Sequence, residues 1–390
     1  VIRFLTLPFV EAENIRNIAY YGKTVTIIRA TEKYEAWLGG QMPLVETDIA
    51  FKHQQMASTA FPFFRATYYR WAQKWEKVCD KAAEAPSVLA VGDLHVENFG
   101  TWRDLEGRLI WGVNDFDEAI ELPYTNDLIR LAAGAELAIR EERLRFDLPE
   151  ACEAILEGYS KSLEVKGRPF VLEEHHQELR SMATSSLRSP DQFWSKMKEM
   201  GAASGPALEG AVSAIEDLIS PDCDSQSMRS RRAGLGSLGR PRYVLLAELE
   251  GGLIAREAKH TAGSAVCWAN KEEGPYVVQY ETILDQSVRC KDPLVRLCGD
   301  WLVRRLAPHC TRIPLDDWPK EREEIDLVRA MGFETANIHL GTDRADKLIR
   351  ADLKDRPKKW LRKAAEAMAD AVEEDAEAWR EHFKRHRGEA

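Results

Sequence analysis

Apolar residues that return every third or fourth position mark a helix, whereas apolar runs of roughly four to eight positions between turn residues mark strands. By that test Asp127 to Ser220 reads as helical. Leu128, Ile129, Leu131, Ala132, Ala135 and Leu137 share one face, and Asp147-Leu148-Pro149-Glu150 is a capping box opening a helix through Glu164. Phe193, Trp194 and Met197 make a helix face of core type. Two hairpins are expected: Phe99 to Arg103 with Arg108 to Val113 around the turn Asp104-Leu105-Glu106-Gly107, and Arg242 to Leu249 with Leu253 to Lys259 around Glu250-Gly251-Gly252. Between them, the Ser-, Asp- and Arg-rich stretch Asp222 to Arg232 reads as a mobile linker. Asp317 to Met331 reads as a helix capped by Asp317 and stopped by Gly332, although Lys320 leaves its capping box incomplete; Glu334 to Leu340 is a further short helix. Lys358 to Arg387 is a charged helix whose broken apolar stripe, Trp360 to Trp379, docks it on the helical part.

The first hairpin changes the chemical picture. It follows Val91-Gly92-Asp93-Leu94-His95-Val96-Glu97-Asn98-Phe99-Gly100 and ends at Asn114-Asp115-Phe116-Asp117, so the fold-back sets Asp115 beside Asn98. An Asp, an Asn five positions later and another Asp across a hairpin suit phosphoryl transfer, which needs a base for the attacking hydroxyl and two oxygen ligands for Mg²⁺. Asp or Asn in loops more commonly caps helices or closes turns, so neither motif is informative without the other. The second hairpin is preceded by Gly234-Leu235-Gly236-Ser237-Leu238-Gly239. A GxGxxG that opens a helix would bind a dinucleotide, but here strands follow, which is the setting of a phosphate-covering loop. Its amides approach phosphate oxygens without an intervening Cβ, and Lys259, twenty residues beyond Gly239, is placed to reach the α- and β-phosphates. Arg229, Arg231 and Arg232 read as a solvated loop.

Gly92-Asp93-Leu94-His95-x-x-Asn98 with Asn114 to Ala119 resembles the aminoglycoside phosphotransferase and choline kinase branch of the protein-kinase-like superfamily. That resemblance implies Asp93 as catalytic base, Asn98 and Asp115 as Mg²⁺ ligands, Asp117 as an outer-sphere or second ligand, and Asp127 as a buried brace of the catalytic loop. It also implies ATP as cofactor, held by Gly234, Gly236, Ser237, Gly239 and Lys259. The motif order is reversed, because the glycine loop follows the catalytic loop by well over a hundred residues. A circularly permuted kinase-like fold accounts for this. In it Tyr276 to Val288 is a helix on the small lobe, and Trp301 to Leu306 and Thr311 to Leu315 are strands.

With that order, the chain is similar to an uncharacterised bacterial family, domain of unknown function 2252, from about Met56 onward. Phe61-Pro62-Phe63-Phe64-Arg65, Arg256-Glu257-Ala258-Lys259, Trp301 to Leu306 and Asn337-Ile338-His339 carry the likeness with the motifs above. Where the family tends to have Glu-Gly-Gln-Arg, this chain reads Gln279-Tyr280-Glu281-Thr282, so Glu281 stands as the candidate partner of Lys259 against an ordinary surface carboxylate.

The expected fold is therefore α+β and two-lobed: an extension over 1–55, a mainly helical large lobe over 56–222, a small antiparallel-sheet lobe over 223–316, and helices returning to the large lobe over 317–390. Lys259 and Asp115 should lie within about 15 Å, the span that phosphates bridge. The expected activity is ATP- and Mg²⁺-dependent phosphotransfer to an acceptor hydroxyl, with AMP transfer and a non-catalytic nucleotide-binding regulator as alternatives. His95 either serves the site or packs in the loop; Arg65 and Arg304 are either anion clamps or structural ion pairs.

Composition sets limits. A chain of 390 residues, 44% hydrophobic, can build a two-lobed core. It has no apolar run of bilayer-spanning length, and Val1 to Val10, with an Arg, a Pro and no cleavage site, does not read as a secretory signal. Seven scattered cysteines without a CxxC point to a reducing cytoplasm and away from structural zinc. The adjacent His175 and His176 project about 100° apart on a helix, which disfavours a shared ion. A net charge of −10 disfavours nucleic acid and would suit a cationic acceptor.

Overall fold

The computed structural model describes residues 25–386 apart from 173–175, 177–178, 182–188, 217, 311, 313–314, 316–317 and 319–322. Val1 to Val10, His175, Asp317 and Lys320 lie outside the described residues, and with them the expectations placed on those positions. In chain order the elements are α1 (Ile27–Gly39), α2 (Glu46–Met56), α3 (Ala60–Ala66), α4 (Tyr68–Cys79), β1 (Ser87–Ala90), β2 (Phe99–Arg103), β3 (Leu109–Val113), β4 (Ile120–Pro123), α5 (Thr125–Arg140), α6 (Leu148–Val165), β5 (Phe170–Val171), α7 (Pro190–Glu199) and α8 (Leu208–Glu216). There follow β6 (Asp224–Ser230), β7 (Arg242–Leu249), β8 (Gly252–His260), α9 (Ala265–Asn270), α10 (Tyr280–Gln286), β9 (Arg296–Cys298), β10 (Trp301–Leu306), α11 (Glu323–His339), α12 (Ala345–Asp355) and α13 (Trp360–His386). The class is α+β, and among the described residues every strand pairing is antiparallel.

The helical core is organised around α5, whose residues from Thr125 to Ala135 are all buried. α13 packs along it, and α6 and α11 cross beside it. The crossing explains a correction: Gly332 is interior to α11 rather than a stop. A Cβ there would meet the Ile155 carbonyl oxygen at 2.2 Å, and one at Gly158 would meet the Arg329 carbonyl oxygen at 1.9 Å. The two glycines let the backbones touch, so the two helices expected here form one. The capping box at Asp147 forms as expected, with Asp147 accepting from Glu150 N–H and Glu150 accepting from Asp147 N–H. α1 and α2, within the stretch expected as an N-terminal extension, pack into the main core through Ile27, Tyr34, Leu38 and Met56.

β2 and β3 pair from Phe99↔Val113 to Arg103↔Leu109, as expected. Asp104 Oδ1 closes their turn by accepting from Glu106 N–H (3.1 Å) and Arg108 N–H (2.9 Å). The second sheet has the order β6-β7-β8-β10-β9. Its first strand corrects the linker expectation for 222–232. β6 is too polar to announce itself and is specified by pairing with β7, while the 201–203 segment covers its other edge through Ala203 N–H to Met228 O and Ser230 N–H to Gly201 O (both 3.0 Å). The helix expected over Tyr276 to Val288 shrinks to α10, because Tyr276 packs on Gly263 and its hydroxyl accepts from Trp37 Nε1 at 2.9 Å. Of the strand expected over Thr311 to Leu315, Arg312 forms an isolated bridge to Gly100.

α8 covers one face of the five-stranded sheet, through Ala211, Ala214 and Ile215 on Tyr243, Leu245, Ala258, Trp301 and Val303. The opposite face looks across a cleft to the hairpin β2–β3 and the loop before it.

Candidate active site

A cavity of about 380 Å³ separates the sheet from the helical part, lined by Asp93, Asn98, Asp115, Asp117 and the glycine bend among others. On the helical side Asp127 is fully buried on α5. Its oxygens accept from Val91 N–H (2.7 Å), Gly92 N–H (3.0 Å) and Asn126 Nδ2 (3.0 Å), and Oδ2 lies 3.0 Å from His339 Nε2. His339 Nδ1 is in turn 2.7 Å from the Tyr159 hydroxyl. This chain from α6 through α11 to α5 fixes the strand end that leads into Asp93, which is the bracing role expected of Asp127.

Asp93 Oδ1 accepts from Arg130 Nε at 2.8 Å and also from its Nη2. Arg130 is wholly buried, its guanidinium 4.0 Å from the Phe64 ring centroid and 4.8 Å from those of Tyr68 and Trp71. Burial pushes the Asp93 carboxyl up from its ordinary range, against the opposing pull of Arg130. A carboxylate held this way is more basic than a free one. Its Oδ2 faces Gly236, where an added Cβ would lie 3.4 Å away. Asn98 Nδ2 donates to Asp93 O at 2.5 Å, leaving Oδ1 as the atom available to a cation, and Asn98 O accepts from Asn114 N–H at 3.0 Å. That bond ties the two acidic loops together.

His95 resolves toward packing. Its Nδ1 accepts from Glu97 N–H at 3.2 Å, its ring lies edge-on to Phe61 and Phe64, and burial with Arg65, Arg130 and Arg312 nearby holds its pKa well below the usual histidine range. Arg65 pairs with buried Glu97, which also faces Arg143 (3.6 Å) and Arg312 (3.4 Å).

Across the cleft, Lys259 Nζ lies 3.4 Å from Asp115 Oδ1 and 2.5 Å from Asp117 Oδ1. Glu281 is elsewhere, accepting from Leu297 N–H at 2.8 Å beside β9, so the acidic partner of Lys259 is Asp117. Asp117, expected as an outer-sphere or second ligand, stands here in an ion pair with Lys259. Its Oδ2 faces Arg240 at 3.7 Å, and although burial would raise its pKa, Lys259, Arg240 and Arg242 outweigh that and hold it at about 2. Asp115 is more open, with 37% of its side chain exposed. Mg²⁺ typically binds one or two protein oxygens together with water and substrate phosphates, and Asn98 Oδ1 with Asp115 fits that donor set. Among the described residues no group of three or more His, Cys, Asp or Glu is placed to hold a metal by itself.

Gly234, Gly236, Ser237 and Gly239 lie in the 231–241 bend that joins β6 to β7. Gly234 and Gly239 adopt φ of +76° and +97°, and Gly236 sits 3.1 Å, at Cβ distance, from Arg65 O, so each glycine answers a backbone or contact demand. Ser237 Oγ accepts from Arg242 Nη2 at 2.7 Å. Lys52 Nζ donates to Gly236 O at 3.0 Å, and burial lowers its pKa to about 8. Arg240 Nη2 donates to Glu118 Oε1 at 3.1 Å, clamping the far end of the bend to the segment after Asp117. Glu118 Oε2 accepts from Ala265 N–H (2.6 Å) and Ser264 Oγ (3.1 Å).

Arg231, read as solvated, is instead bonded to Glu257 Oε2. Glu257 has no exposure and also accepts from Arg242 Nη1 (3.2 Å) and Arg304 Nε (2.7 Å). The described cavity lining carries nine Lys and Arg against six Asp and Glu, so the cavity is positive in a chain of net charge −10. The expectation of a cationic acceptor, drawn from net charge, has no counterpart in this lining. Lys52, Arg130, Arg240 and Arg242 escaped the sequence reading. The available signal was a cation set among apolar helix or strand positions, as Arg130 is between Ile129 and Leu131.

The site defined by this geometry is a positively lined cleft between the five-stranded sheet and the helical part of an α+β protein. Residues 44–204 match the family described as an uncharacterized protein conserved in bacteria, domain of unknown function 2252. Neither the curated proteins nor the solved structures include a match to the chain. No helix among the described residues is long and apolar enough to cross a membrane.

Proposed function

We propose that the chain is an ATP- and Mg²⁺-dependent transferase with a circularly permuted kinase-like fold, which moves a phosphorus group of ATP to the hydroxyl of an acceptor. The observation that carries this is the meeting of Lys259 with Asp115 at 3.4 Å while the glycine bend closes on Asp93, in a chain whose motif order is reversed. The five-strand order, with a glycine bend between the first two strands and Lys259 on the third, supports the same reading.

In this reading Asn98 and Asp115 hold Mg²⁺, which when bound offsets negative charge on the phosphates. Lys259 and the amides of 234–239 fix the polyphosphate, and Asp93 Oδ2 accepts the hydroxyl proton as the bond to phosphorus forms. Arg130 holds the other oxygen of Asp93 so that the base keeps one orientation. The group moved is phosphoryl when the terminal phosphate lies at Asp93, with ADP released. It is AMP when the nucleotide lies reversed, with pyrophosphate released.

Asp93→Asn and Asp115→Ala test the assignment as a pair. A base used only as the hydroxyl attacks contributes roughly 10²- to 10⁴-fold to turnover, so Asp93→Asn should bind Mg·ATP nearly normally and turn over slowly. Asp115→Ala should instead lose the Mg²⁺ dependence of ATP binding, measured by calorimetry with and without the metal. Wild-type protein that modifies no acceptor in a cell extract with labelled ATP, and hydrolyses none, would favour the regulator reading.

A further inference from the structure

The cleft-facing side of the five-stranded sheet is layered in three rows. Its registers set Arg242 and Leu302 beside Lys259, Val244 and Arg304 beside Glu257, and Leu246 and Leu306 beside Ala255. The row nearest Asp115 is cationic and the second is the arginine cluster around Glu257. The third is apolar and already covered, since Phe193 and Met197 of α7 pack with Val244, Leu246, Ala255 and Leu306.

In the ordinary orientation the terminal phosphate lies at Asp93, the chain passes Lys259, and the adenosine end continues along the sheet away from Asp115. There it would meet Arg231, Arg304 and Glu257, and beyond them a row closed by α7. A neutral heterocycle laid on this cluster would exclude water from the partly exposed guanidiniums of Arg231 and Arg304, and would return no hydrogen bond of comparable strength. A phosphate there gains charge-assisted bonds from planar donors suited to it. Glu257 and Lys259 are two residues apart on one strand, about 7 Å, a gap that a triphosphate spans.

We infer that ATP binds phosphate-first, with its terminal phosphates against Arg231, Arg242 and Arg304 and its α-phosphate beside Asp115 and Asp93, so that the group transferred is AMP. This rests on the ATP- and Mg²⁺-dependent reading above. In the step, the acceptor oxygen attacks the α-phosphorus, the bond from that phosphorus to the oxygen bridging to the β-phosphorus breaks, pyrophosphate leaves with the electron pair, and the hydroxyl proton passes to Asp93. No oxidant or further reactant is needed.

Wild-type protein incubated with Mg²⁺, a cell extract and ATP labelled at either the α- or the γ-phosphate should transfer the α-label and release labelled pyrophosphate from the γ-labelled nucleotide. Transfer of the γ-label with ADP formed overturns the orientation and leaves the transferase reading standing. Competition gives a second arm that needs no acceptor. Inorganic tripolyphosphate with Mg²⁺ should displace ATP, and Arg304→Lys should weaken tripolyphosphate binding by about tenfold or more while leaving AMP affinity within a factor of about two. Displacement by adenosine but not by tripolyphosphate overturns the orientation. Failure of Mg·ATP to bind at all overturns the underlying reading, and the orientation with it.

Discussion

Asp127 on α5 and Glu257 on β8 are both carboxylates without solvent exposure, and they are satisfied in opposite ways. Asp127 is saturated by the backbone N–H groups of Val91 and Gly92, the Asn126 amide and the His339 ring. Every partner belongs to the helical wall and each has a reason to stay put. Glu257 draws three guanidiniums onto two oxygens, and they hold its pKa well below the usual carboxylate range against the opposing effect of burial. The helical wall is therefore a finished network that positions Asp93. The sheet wall keeps a surplus of positive charge facing the cleft, and a surplus of that kind is a demand for an anion.

Two substitutions separate these roles and carry the largest expected effects. Asp127→Ala leaves two buried N–H groups and His339 without an acceptor, and Glu257→Gln leaves three arginines facing one another; each should lower unfolding free energy by about 3–5 kcal/mol in urea titrations. The difference lies in rescue. Tripolyphosphate at roughly a hundred times its Kd restores about 2.7 kcal/mol to a protein that binds it only when folded. At one concentration, fixed at that multiple of the unmutated protein's Kd, Glu257→Gln, whose charge surplus is larger still, should bind more tightly and regain more than the unmutated protein, and Asp127→Ala should regain no more than the unmutated protein does. Equal rescue of the two would remove the distinction between the walls.

Glu118 sits where the walls meet, bonded to Arg240 of the glycine bend and to Ala265 N–H. Burial raises its pKa from 4.5 to about 7, more than Arg240 and Ala265 pull it down. In that interval the folded protein holds a proton that the unfolded chain has released, so stability is full below pH 4.5 and falls as pH rises through about 7. The whole effect is about 3 kcal/mol. Glu334, also raised by burial to about 7, adds a slope of the same sign. Glu118→Gln should flatten roughly half of the slope in denaturation midpoints measured across that window, and Glu118→Gln with Glu334→Gln most of the remainder. An unchanged slope in the double variant would show that neither carboxyl carries the proton.

The parts of the fold legible in the sequence were those fixed by local chemistry. Asp104 and Gly107 specify the β2–β3 turn, Glu250 and Gly251 specify the β7–β8 turn, and Asp147 with Glu150 specifies a helix start. Because those turns are short, they also brought Asn98 to Asp115 and set Lys259 on its strand. What was not legible depended on partners far away in sequence. β6 is polar and becomes a strand by pairing with β7, Gly332 looks like a stop until α6 is laid across it, and Arg130 gains meaning only where Phe64, Tyr68 and Trp71 enclose it. The partner of Lys259 was missed for the same reason, since Asp117 and Lys259 are brought together by the closing of the cleft rather than by spacing along the chain.

The smallest expected effect tests how far the helical wall tolerates change. Gly158 and Gly332 face one another where α6 and α11 cross, and each meets backbone of the opposite helix rather than a flexible side chain. A methyl group at Gly158 cannot be accommodated by a rotamer change, so the helices must part, and overpacking of this kind typically costs about 1–3 kcal/mol. His339 ends α11 and holds Asp127, so a shift of α11 is passed to the loop that carries Asp93. Gly158→Ala is accordingly expected to lower stability modestly and to slow turnover, while tripolyphosphate binding on the sheet wall stays within a factor of about two. Weakened tripolyphosphate binding in this variant, measured by calorimetry below its unfolding transition, would mean that the two walls are coupled and do not divide positioning from anion binding.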